Sequence, residues 1–208
     1  MATPNGMNGA ADLIFAAFNH QTFDQNNMDV GHMQIYDTVT IAAAGSVTPL
    51  SANYFTSVGP QSGKTAAQTN MATPRQLQTP QAFSIMGIRY RVGENIALGD
   101  FIAIVNGFAL EFQIGGKLYQ QAPLWIFAAG GGIFGLDPSA TTSIYSNGVP
   151  TRESMNRLNI PLVIDNTAQF FGLLDGNPYT LLAAGGGTLG TGFTSQYVLD
   201  GFYARGIQ

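Results

Sequence analysis

Apolar residues at every second position constrain this chain more than any other feature. Phe108, Leu110, Phe112 and Ile114 alternate with Ala109, Glu111 and Gln113, then run into Gly115-Gly116, after which Lys117 and Tyr119 open a return segment. Period-two alternation puts one face of a strand in a core, and two glycines between such runs predict a two-residue hairpin. The same period recurs in Met33, Ile35, Val39 and Ile41, and in Leu158, Ile160, Leu162 and Ile164. Further strands are predicted over 169–174 and 196–205, the latter with Val198 and Phe202 on one face and Tyr197, Leu199 and Tyr203 on the other. Phe83 and Ile85 share one parity and Ile88, Tyr90 and Val92 the other, so the buried face switches near Met86-Gly87, as a β-bulge would do it.

About eight short strands separated by Gly-, Pro- and Asn-rich turns, with little room for helices, predict an all-β fold: a two-sheet antiparallel sandwich, specifically a single jelly roll. Residues 1–30 read as an N-terminal arm with one short helix around Leu13–Phe18, and 31–208 as one sandwich domain. That helix packs on its own domain, on a neighbouring subunit or on a membrane face. Within the domain, 44–81 is rich in Thr, Gln, Pro and Gly and reads as a long surface loop with one short strand at Tyr54–Val58. The runs Pro123–Gly135 and Pro178–Gly190 echo each other, each an apolar strand entering three glycines. They are either two equivalent corners of the sandwich or a coincidence of composition.

Only 10% of the 208 residues are charged, against roughly 25% in an ordinary soluble domain. Asn, Gln, Ser and Thr must therefore make up much of the surface, which suits a protein covered by neighbours. The net charge of −4, with no Lys/Arg cluster, leaves out a phosphate-binding footprint and predicts no direct sequence-specific nucleic-acid binding. With no cysteine, disulfides, thiol catalysis and Cys-containing zinc sites are absent. Residues 1–20 have no positive n-region, and Leu13–Phe18 is too short for a signal core, so synthesis in a host cytoplasm without a signal peptide is expected.

The motifs that invite chemistry fail in context. Gly130/Gly132/Gly135 and Gly185/Gly187/Gly190 match G-x-G-x-x-G, but neither opens a helix inside a βαβ unit. Gly63-Lys64-Thr65 ends like a phosphate-binding loop, yet Val58 stands where the first glycine is needed. His20 and His32, the only histidines, fit no zinc or triad spacing, and the carboxylates are scattered. The reading is a non-enzyme with no catalytic residue, no metal and no cofactor.

What remains is surface. Trp125 is either core or an interface anchor, and Arg89, Arg91 and Arg205 are rare strand charges that either pair across a subunit boundary or stay solvated. With Phe15 and Phe18 of the N-terminal segment, these residues form the candidate subunit interface.

The segments FSIMGIRYRVG, ALEFQIGGKLYQQAPL, NIPLVIDN and YVLDGFYARGIQ, in a cysteine-free Gly/Thr/Asn/Gln background, resemble the jelly-roll capsid proteins of tailless icosahedral bacteriophages, notably those with an internal membrane. The resemblance implies a single-barrel virion protein whose copies associate into capsomers. Its partners would be copies of itself, other shell proteins and an internal viral membrane met through the N-terminal segment. The alternative is a phage spike or other receptor- or carbohydrate-binding sandwich, with Tyr36, Tyr54 and Tyr145 as candidate platforms.

Overall fold

The computed structural model describes residues 28–41, 52–92, 98–129, 156–177 and 193–206. Its elements are β1 (Met28–Ile41), β2 (Ala52–Tyr54), β3 (Gln81–Val92), α1 (Leu98–Gly107), β4 (Phe108–Ile114), β5 (Lys117–Pro123), β6 (Asn156–Asp165), β7 (Phe170–Gly176) and β8 (Phe193–Gly206). The strands form two antiparallel four-stranded sheets, ordered β1-β8-β3-β6 and β2-β7-β4-β5. Pairing is nested: first strand with last, second with seventh, third with sixth, fourth with fifth, and successive pairs fall in opposite sheets. The chain is therefore mostly β and folds as a sandwich.

The core between the sheets is aromatic. Tyr197 of β8 packs 5.4 Å from the Tyr54 and Phe55 rings and 6.3 Å from Phe112 on the opposite sheet. Its ring also lies on β7 at Gly172, where a Cβ would meet it at 2.5 Å, so only glycine lets the two sheets approach there. Burying three phenols requires partners for their hydroxyls. Tyr54 Oη lies 2.9 Å from Tyr90 Oη and 2.5 Å from Ser195 Oγ, Ser195 donates to Val39 O at 3.4 Å, and Tyr197 donates to Glu111 O at 3.4 Å.

The hairpin and the bulge form where the sequence predicts them. Phe108, Leu110, Phe112 and Ile114 are all buried, and Gly115 and Gly116 take φ of 57° and 77°, the left-handed pair that a tight turn matched to strand twist requires. The β3 register shifts between Ile85 and Gly87, which lets Phe83, Ile85, Ile88, Tyr90 and Val92 all reach the core.

Other expectations need correcting. The short strand of the 44–81 segment is Ala52–Tyr54, not 54–58, because Phe55 turns to a φ of 65° and ends it. The segment is also more than surface, since Phe55, Val58, Met71 and Leu77 are buried. Helix α1 is an element the sequence reading lacks, although Phe101 and Ile104, both buried, and the partly buried Val105 have the i, i+3, i+4 spacing of one helical face. The apolar run after Pro123 is not a strand: Leu124–Phe127 makes a 3-10 turn that buries Leu124 and Phe127 and turns Trp125 out. In β6, Ile85 faces Leu162 while Gly87 faces Arg157, so residues 158–161 arch away around Pro161 and Ile160 is 76% exposed rather than core. β1 begins at Met28 and takes in the end of the predicted arm. The expected N-terminal helix, residues 130–135 of the first glycine-rich run and all of the second lie outside the described residues.

Candidate interaction surface

Of the candidate interface residues, Phe15 and Phe18 lie outside the described residues, and the other four are not brought together. Arg89 and Arg91 sit two apart on β3, on the outer face of the first sheet, opposite Val198 and Gln196 of β8. Arg205 faces Gln81 at the other end of β3, seven β8 residues from Val198 or about 23 Å along the strand. Trp125 follows β5 and belongs to the edge of the second sheet.

The charges among them are mostly engaged within the chain. Arg89 grips Asp200 through Nε and through Nη2, the latter at 2.8 Å, and the pair is largely buried. A two-pronged guanidinium-carboxylate contact of this kind is geometrically specific, so Arg89 braces β3 to β8 and is not held ready for a partner. Arg205 bonds Asp29 across β1 and β8, Nη2 to Oδ2 at 2.9 Å, and lies over the Tyr203 ring. Arg91 is exposed.

A third ion pair was missed by sequence reasoning. Asp37 on β1 is fully buried and accepts from Lys64 Nζ at 2.6 Å and from the Phe55 N–H at 2.8 Å. Burial pushes its carboxyl above the usual carboxylate range, against the lowering pull of Lys64 and the Phe55 amide. Lys64, the residue that made a phosphate loop worth testing, is thus a fastener for the 55–80 segment.

The outer face of the second sheet has a different character. Cross-strand rows place Phe171, Gln113 and Leu118 side by side, then Leu173, Glu111 and Gln121. Leu118 and Tyr119 are about half exposed, and Arg75 stacks over Phe171. Gln121 and Gln113 both donate to Glu111, at 2.7 and 3.3 Å, so that the Glu111 carboxylate is dressed in amides, while Asp175 stands exposed in the next row beside Ala109. Beyond this face stand Trp125, 60% exposed, and Ile102 of α1, 48% exposed. The face is apolar and amide-rich with few charges.

No family model, curated protein or solved structure matches this chain. Its function must be read from its own geometry.

Two further features bear on chemistry. An open groove of about 570 Å³ lies where α1 ends against β4, β5 and β7, lined by Asn106, Phe108, Gln121, Pro123, Asp175 and Asn177 among others. The hydroxyl cluster of Tyr54, Tyr90 and Ser195 is sealed in the core. Tyr54 therefore offers no platform for a sugar, contrary to the expectation, and the Tyr36 hydroxyl is engaged by Ala66 O; Tyr145 lies outside the described residues. Among the described residues, no three His, Asp or Glu side chains gather as metal ligands, and no helix is long and apolar enough to cross a membrane.

Proposed function

We propose that this chain is a single jelly-roll structural protein of a bacteriophage capsid, assembling into capsomers with copies of itself and with other shell proteins. The observation that carries the reading is the nested strand pairing. A long antiparallel hairpin of four strand pairs, wound so that alternate pairs land in opposite sheets, supports a jelly-roll wrapping. Capsid function draws support from the surface. The amide-rich outer face of the second sheet, the exposed Trp125 and the self-neutralised arginines fit many repeated contacts with polar rims, as closed symmetric assemblies use. The test is to purify particles from cells producing this chain and examine them by mass spectrometry and electron microscopy. The reading expects the chain in stoichiometric amount within a shell; its absence from particles contradicts it.

A second reading has one observation in its favour. The groove lined by Asn106, Gln121, Asp175 and Asn177 offers amides and a carboxylate of the kind that hydrogen-bond sugar hydroxyls, as a carbohydrate-binding spike domain would need. A glycan array decides for it with submicromolar hits that Asp175→Ala abolishes, and against it without them.

A further inference from the structure

Among the described residues β1 is the last strand of its sheet, 14 residues long, and such an edge invites pairing with another chain. Its free side is closed in an unusual way. Asn70, itself exposed, accepts from the Tyr36 N–H at 3.1 Å and donates from its side-chain amide to Gln34 O at 2.6 Å. One primary amide thus fills the donor and acceptor places that a neighbouring strand's peptide would fill. Thr69 Oγ1 donates to Tyr36 O at 3.1 Å, and Thr69 makes a lone antiparallel bridge with Asp37. The segment is held against the sheet by Lys64 on Asp37, by Tyr36 Oη on Ala66 O and by Gln196 Nε2 on Ala67 O.

We propose that residues 64–71 are an edge plug, and that what they hold off is antiparallel pairing of β1 with β1 of a second copy of this chain. Backbone direction alternates along a strand, so the N–H and C=O of Gln34 and Tyr36 that meet the plug have counterparts at His32 and Thr38 pointing the same way. The side chains of that row, His32, Gln34, Tyr36, Thr38 and Thr40, include no carboxylate, lysine or arginine. A two-fold pairing of β1 with itself therefore sets no like charges opposite one another. Asp29 and Asp37 have the other parity and are neutralised by Arg205 and Lys64. The inference does not rest on the capsid reading, because it concerns an edge that the monomer itself covers.

The test compares wild type with Thr69→Ala/Asn70→Ala, which removes the three side-chain caps and leaves the Lys64–Asp37 anchor. After circular dichroism confirms the fold, the Tyr36 amide should exchange manyfold faster in dilute solution, and sedimentation velocity should show more dimer than wild type at equal concentration. Adding Gln34→Pro should return the profile to that of wild type. The Gln34 N–H points away from β8, so proline there blocks edge pairing without breaking the β1–β8 ladder. A double variant that sediments like wild type overturns the proposal, as does an extra species that Gln34→Pro leaves in place. If the double variant does not fold, Asn70→Ala, confined to an exposed side chain, carries the same comparison.

Discussion

A buried carboxylate has to be matched group by group, and Asp37 shows what the match does here. It fixes the Phe55 amide, at a backbone conformation that ends β2, and the Lys64 ammonium of the covering segment. Removing it leaves a buried N–H and a largely buried cation without their acceptor. Asp37→Ala should therefore cost about 3 kcal/mol in urea unfolding, and Asp37→Asn, which retains an acceptor for Phe55, clearly less. The tyrosines make a pH statement. Burial pushes the Tyr90 hydroxyl up to about 12 and raises Tyr54 and Tyr197 as well. In the unfolded chain these phenols ionise near their ordinary value of about 10, so above it the unfolded state has lost protons that the native state keeps. Stability is then full below about pH 10 and falls as pH rises toward about 12. Denaturant melts across that range should show the decline, and Tyr90→Phe should make it shallower. Trp125, the only tryptophan, is a probe of the proposed assembly. Its exposure predicts that Trp125→Ala leaves the monomer's melting temperature unchanged, while each subunit contact it anchors weakens by about 2 kcal/mol. Emission that stays red on assembly would remove Trp125 from the contact.

Single strands were legible wherever one face is covered and the other is not. Phe108–Ile114 with its two glycines gave the hairpin, though not the irregularity that sets Phe112 opposite Gln120 and Gln113 opposite Leu118, and the parity switch at Met86-Gly87 located the bulge in β3. Legibility failed where apolar residues follow another logic. Ile160 keeps the alternation of β6 but lies where the β3–β6 register jumps from Leu162 to Arg157, and the unbroken parity of Leu158, Ile160, Leu162 and Ile164 gives no sign of that jump on β6 itself. Leu124–Phe127 looks like a strand because both a strand and a tight helical turn can be wholly apolar over four residues. Asp37 was invisible as an anchor because its partners stand 18 and 27 residues away in a segment with no periodicity. Strand contact itself predicts a measurable cost at β7. Gly172→Ala drives a methyl group into the Tyr197 ring, which is held among Tyr54, Phe55 and Phe112 and has nowhere to move. Overpacking of this kind costs roughly 1 to 3 kcal/mol, readable as a lowered urea midpoint.

At the scale of the molecule, the low charge has a structural counterpart. Lys64, Arg89 and Arg205, three of the chain's eight basic residues, are bound to carboxylates of the same chain. Part of the chain's small complement of charge is thus engaged internally, and the outer face of the second sheet presents amides and half-buried apolar side chains. Assembly through such a face should depend only weakly on salt between about 0.01 M and about 1 M, because there is little charge to screen. A steep loss of association over that range would assign the contacts to ion pairs. On the proposed function this surface meets copies of itself. Size-exclusion chromatography with multi-angle light scattering over a wide concentration range distinguishes the cases: self-contact gives a molar mass that climbs with concentration to discrete multiples of the monomer, and a mass fixed at one chain throughout refutes it.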